Sequence, residues 1–107
     1  MTIKSLEDIE KLRVEREAFS IYFSSPNCSV CRVLKPKLIA MLKESYPKIE
    51  SYYVDTALHP EIAAQLGFYT NPSFIVYLNG QEFLRRSRSI SLQEIAESLE
   101  RPYRIMF

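Results

Sequence analysis

The chain has 107 residues, of which 47% are apolar and 25% charged, with a formal net charge of +1. A single domain spanning 1–107 of this size buries roughly 60–70% of its unfolded surface and needs no crosslink, and this composition argues against a disordered tail or a nucleic-acid partner. The longest apolar run, Phe74 to Leu78, is far too short to span a bilayer and the opening MTIKSLEDIE lacks the apolar core of a secretory signal, so no membrane is expected and the expected setting is cytoplasmic.

The first element in the chain is a helix. Ser5 stands where a hydroxyl can satisfy a free first-turn amide, and Leu6, Ile9 and Leu12 follow at helical spacing, preceded at most by a very short strand around Ile3. Ala18 to Ser24, AFSIYFS, sets Phe19, Ile21 and Phe23 against Ser20, Tyr22 and Ser24, which is the period of a strand. Beyond the segment SSPNCSVC, the residues Leu34, Leu38, Met41 and Leu42 recur at three and four, predicting a helix that lasts until Pro47. Pro36 falls inside it, where the missing backbone donor and the ring's clash with the carbonyl four residues back predict a bend.

Ile49 to Val54 is a second strand. Pro60 suits the first position of a short helix, with Ile62, Ala63 and Leu66 on its face and Gly67 as its left-handed stop. Ser73 to Leu78, SFIVYL, is the most β-prone run in the chain, and Asn79-Gly80 is a strong hairpin signal, so QEFLRR returns antiparallel to it. Ser91 and Glu94 have capping-box spacing for a last helix through Leu92, Ile95, Ala96 and Leu99, with Pro102 as its expected end. The expected fold class is α/β: a mixed central sheet with helices on both faces, closed by a C-terminal β-hairpin and helix.

Cys28 and Cys31 are the only cysteines. Cys28 stands between a predicted strand and a predicted helix, where first-turn amides and the positive end of the helix dipole stabilise a thiolate. Cys31 lies one turn further on, close enough to attack the sulfur of Cys28. That placement makes Cys28 the candidate nucleophile and Cys31 the candidate resolving thiol of a disulfide exchange.

This chain resembles the thioredoxin family over nearly its whole length. Pro36, five residues after Cys31, stands where thioredoxins carry a helix-kinking proline, and LGFYTNPSF resembles their glycine-ended helix and the loop whose cis-proline faces the cysteines. The resemblance implies a thioredoxin fold, a thiol–disulfide oxidoreductase working in the reducing direction on protein disulfides, an upstream reductant and no cofactor; for the oligomeric state, which the sequence does not give, a monomer is the default expectation. The resemblance assigns catalysis to Cys28 and Cys31 and substrate binding to Asn27, Asn71 and Pro72, with the backbone of Asn71 pairing an extended peptide.

Several positions depart from the family pattern. Where thioredoxins read Trp-Cys-Gly-Pro-Cys, this chain reads Asn27-Cys28-Ser29-Val30-Cys31, and it contains no tryptophan. The family's buried aspartate aligns with Tyr22 and its lysine partner near Ser51 or Tyr52. A phenol is a poor base at neutral pH, so water, Glu44, Asp55 or another carboxylate would have to take its place. Arg32 and Lys35 near the helix start would lower the Cys28 pKa or form a solvated face. Arg85, Arg86 and Arg88 would guard a sheet edge, while Arg88, aligned with a small family glycine, would also select substrates.

Three other readings compete. Half of a metal site would need further ligands, and the sole histidine, His59, reads as a neighbour of a helix cap, so no metal is expected. Two merely packed thiols would put both on the Leu34/Leu38 face, which Cys31 shares and Cys28 does not. A thioredoxin-fold binding or scaffold module with weak or no redox activity is the main alternative, supported by the missing tryptophan and by the apolar tail residues Tyr103, Ile105, Met106 and Phe107, which fold onto the core or form a sticky terminus.

Overall fold

Helix α1 (Leu6–Glu15) begins where Ser5 accepts the Asp8 amide on its hydroxyl at 3.2 Å. In this computed structural model, which describes residues 2–107, it is followed by β1 (Ala18–Ser24), α2 (Ser29–Ser45), β2 (Glu50–Asp55), α3 (Pro60–Gln65), β3 (Ser73–Leu78), β4 (Gln81–Ser87) and α4 (Leu92–Met106). The strand expected around Ile3 is a single bridge, with Thr2 paired to Tyr53 and the Ile3 amide donating to the Tyr53 carbonyl at 2.8 Å.

The four strands form one mixed sheet in the order β2-β1-β3-β4. β1 runs parallel to β2 and antiparallel to β3, and β3 turns antiparallel into β4. That turn is built at Asn79 and Gly80, whose φ angles of 54° and 77° give the twist a tight hairpin needs. Gly80 is required twice over, because a Cβ there would lie 2.7 Å from the Arg13 carbonyl oxygen. Arg13 in turn donates Nε to the Gly80 carbonyl at 2.7 Å, tying α1 to the hairpin.

Every residue of β1 and β3 is buried. The period-two alternation therefore sorts side chains between two cores, not between core and water. Phe19, Ile21, Phe23, Ile75 and Tyr77 join Ile9 of α1 and Ile62 of α3 on one face. Tyr22, Phe74 and Val76 join Cys31, Leu38 and Leu42 of α2 and Ile95 and Leu99 of α4 on the other. The fold class read from the sequence, a mixed sheet with helices on both faces, is the one observed.

Two local expectations at the C-terminal end need correcting. Pro102 does not end the last helix, which continues through it to Met106. A proline removes only one donor, and here packing holds the final turn: the Tyr103 ring meets Tyr46 edge-on at 5.0 Å, and its hydroxyl accepts the Lys48 amide at 3.2 Å. Tyr103 and Met106 pack against the core, while Ile105 is exposed. Only half of the capping box forms. The Ser91 hydroxyl accepts the Glu94 amide at 3.2 Å, but the Glu94 carboxylate takes two guanidinium bonds from Arg86 of β4, both at 2.6 Å, and one from Ser98 at 2.8 Å. A bidentate charged pair outcompetes a single bond to a cap amide.

Candidate active site

Parallel pairing of β1 with β2 and the burial of α2 against Tyr22 and Phe74 fix where β1 hands the chain over to α2. The connecting loop runs from Ser25 to Cys28, and the Cys28 amide donates back to the Ser25 carbonyl at 3.1 Å. Cys28 is the N-cap of α2, in extended backbone with φ −89° and ψ 101°. Its sulfur accepts the Cys31 amide at 3.3 Å, the bond that a serine or aspartate makes at other helix starts. α1, α3 and α4 each carry an acidic residue in the first turn, and α2 carries none, so the positive end of its dipole faces the sulfur without a competing carboxylate.

The two sulfurs are joined as a disulfide, with the Cα atoms 5.3 Å apart. They differ in access. Cys31 is 3% exposed and sits in the core with Leu38, whereas Cys28 is half-buried at its edge. Asn27 is exposed immediately before it. Arg32 reaches back to donate to the Pro26 carbonyl at 2.9 Å, clamping the loop that presents Cys28, and Lys35 places its amine 3.7 Å from the centre of the Tyr53 ring. Neither is a simply solvated side chain.

The loop before β3 lies against the cysteine loop. Asn71, exposed, donates its amide nitrogen to the Thr56 hydroxyl at 3.1 Å and to the Ser25 hydroxyl at 3.5 Å. The Asn71–Pro72 peptide bond is cis, and Pro72 is buried, so Asn71 is the member of the pair that meets solvent. The Pro72 carbonyl accepts the Arg88 amide at 3.0 Å, and Arg88 has a φ of 65°, a left-handed backbone that favours glycine. Sequence reasoning missed the supporting polar network: Tyr53 and Ser24 bond through their hydroxyls at 3.1 Å, and the Ser24 carbonyl accepts both Tyr53 and Thr56. Only the strand register, which sets Tyr22 opposite Tyr53 and not Ser51 or Tyr52, brings these groups together.

Tyr22 lies on the same face of the sheet as Cys31, 3% exposed, and its hydroxyl is the one fully buried side-chain polar atom among the described residues with no hydrogen-bond partner. Burial, reinforced by Tyr53, pushes its pKa up to about 12. Of the two carboxylates considered from the sequence, Glu44 lies too far along the helix to replace an acid there. Asp55 is engaged by the amides of Ala57 and Leu58, and Glu44 is exposed thirteen positions beyond Cys31, about 20 Å along the helix. His59 occupies the N-cap position of α3 without a side-chain capping bond and lies 3.6 Å from Glu61, and no group of three or more His, Cys, Asp or Glu among the described residues is placed to hold a metal ion.

The thioredoxin family model matches residues 6–101. The chain belongs to the thioredoxin family. It is 29% identical over 103 residues to the thioredoxin-like protein YdfQ of Bacillus subtilis, covering 96% of this chain and 91% of that one. Among solved structures, the thioredoxin of Fasciola hepatica is 28% identical with a TM-score of 0.75, covering 94% of this chain and 93% of that one. A mutant thioredoxin of Halobacterium salinarum superposes with a TM-score of 0.81 at 14% identity, covering 96% and 88%, and so shares the fold. As in the thioredoxin family generally, the cysteine pair with this fold supports thiol–disulfide oxidoreductase chemistry.

Proposed function

We propose that this protein reduces protein disulfides, with Cys28 attacking and Cys31 resolving. The observation that carries the proposal is the hydrogen bond from the Cys31 amide to the Cys28 sulfur at the acid-free start of α2. A thiolate there gains an amide donor and the helix dipole, and both favour the charged form of Cys28. Its partial exposure lets a substrate disulfide approach, while burial protects Cys31 from the same encounter.

In the forward direction the Cys28 thiolate attacks one sulfur of the substrate disulfide. A Cys28–substrate bond forms, the substrate S–S bond breaks, and the first substrate sulfur leaves as a thiolate, which takes up the proton that the Cys31 thiol releases. The Cys31 thiolate then attacks the Cys28 sulfur, the mixed disulfide breaks, and the second substrate thiol leaves. Two electrons have passed to the substrate, and the protein ends in the Cys28–Cys31 disulfide form, which a dithiol donor returns to the reduced state. Tyr22 stays a neutral phenol through the physiological range, so it removes no proton from Cys31. Asn71, held beside the cysteine loop by Ser25, and Asn27 supply the exposed polar edge along which a substrate chain lies, with the buried Pro72 behind them.

The test is turbidimetric reduction of insulin with dithiothreitol as donor. The wild type accelerates precipitation several-fold over dithiothreitol alone and Cys28→Ser does not; equal rates for the two proteins would leave the binding-module reading in its place.

A further inference from the structure

One surface beside the cysteines is not used by this chemistry. Between the first two turns of α2 and the start of α4 runs an open groove of about 630 Å³, lined by Ser29, Val30, Val33, Leu34, Lys37 and Leu92. It begins at Ser29, the residue after Cys28, so a chain whose cysteine sulfur meets Cys28 also reaches the groove. Val30 and Val33 are 61% and 60% exposed, an unusual state for two valines on one helix face. Lys37 is the only charged residue in the lining.

The α2 wall of the groove carries charge of one sign, whereas the α4 wall brings Glu94, which Arg86 neutralises, and Glu97, which accepts the Gln93 side-chain amide. Between Ser29 and Lys43, α2 carries Arg32, Lys35, Lys37 and Lys43 and no acidic residue, although the whole chain has a net charge of only +1. None of these four joins an ion pair among the described residues, whereas Arg85 and Arg86 are both paired. Arg32 and Lys35 are turned to the Pro26 carbonyl and the Tyr53 ring, which leaves Lys37 free at the groove. An apolar floor with an unpartnered cation at its rim, next to a helix N-terminus, is complementary to an apolar side chain flanked by carboxylates.

We infer that this groove is a specificity site for the disulfide-bearing partner, accepting a Leu-like side chain next to the target cysteine with Asp or Glu beside it. The inference rests on the proposed reductase reading for its biological sense, but the groove can be tested without chemistry. Two fluorophore-labelled peptides with serine in place of cysteine, one with the core Glu-Leu-Ser-Leu-Glu and one with Lys-Leu-Ser-Leu-Lys, are titrated by anisotropy in 20 mM and 500 mM salt. The acidic peptide binds about tenfold tighter at low salt, and the preference shrinks at high salt as exposed charges are screened. Lys37→Glu brings the ratio of the two affinities to about one or below, while Val33→Ser weakens both peptides about threefold and leaves the ratio in place. The same ratio is read as kcat/KM on the corresponding cysteine peptides in disulfide form. Equal affinities at low salt, a ratio unmoved by Lys37→Glu, no binding of either peptide at 1 mM, or concentration-dependent self-association abolished by Val33→Ser would each overturn the inference. Failure of insulin reduction with the anisotropy preference intact would remove the reductase reading and keep the groove.

Discussion

Replacing Tyr22 with phenylalanine removes one oxygen and leaves every ring contact in place. That oxygen is buried and no protein group among the described residues bonds it, so folding takes it from bulk water with no protein partner in exchange. Such a loss costs about 1–3 kcal/mol, and the phenyl ring avoids it. Tyr22→Phe is therefore expected to stabilise the fold by about 1–2 kcal/mol, with a rise in Tm of about 4–8 °C for each kcal/mol. The pH dependence gives an independent check. Burial raises the folded phenol from 10.0 to about 12, so between those values the unfolded chain releases a proton that the folded one keeps. The effect of this group on stability is constant below pH 10 and turns increasingly unfavourable as the pH rises toward about 12, and Tyr22→Phe removes that decline. Urea unfolding of both proteins at pH 7 and pH 10.5, with the slopes compared, measures both effects. A variant less stable than the wild type at pH 7, or one with the same alkaline decline, would refute the reasoning and show that the hydroxyl makes a bond of value.

Gly80→Ala is expected to destabilise by about 2 kcal/mol or more, since it forces a left-handed backbone on alanine and pushes a Cβ onto the Arg13 carbonyl; an unchanged urea midpoint would contradict this. Arg86, with Ser98 assisting, holds the Glu94 carboxyl down at about 2. Its contribution is present above the ordinary carboxylate range and is lost as the pH falls through about 2. Glu94→Gln lacks it at every pH, so the gap in stability between wild type and variant, read by circular dichroism, is expected to be small for this half-exposed pair, to narrow below the ordinary carboxylate range and to close near pH 2; a constant gap would refute the assignment.

The architecture was legible because its signals are local. The hydrophobic periods of Phe19, Ile21 and Phe23 and of Leu34, Leu38 and Leu42, the Ser5 and Ser91 hydroxyls and the Asn79-Gly80 turn each act within a few residues, and all lie where the sequence placed them. The position of Cys28 at a strand-to-helix junction was legible for the same reason. Misreadings arose where a distant partner decides. Pro102 is carried through by Tyr46, which lies more than fifty positions earlier in the chain, and Glu94 is drawn from its own cap by Arg86 on the neighbouring strand. The pairing of Tyr53 with Ser24 and the opening of the Val33 groove against Leu92 likewise depend on strand register and helix packing, which no single window contains.

The most direct test of the central claim is the pH dependence of iodoacetamide alkylation of the reduced protein, with the modified sulfur located by fragment mass spectrometry. The account predicts that Cys28 reacts first and that its midpoint lies about one unit or more below the value of about 8.5 for a free thiol. A midpoint at or above that value, or Cys31 modified ahead of Cys28, would contradict it.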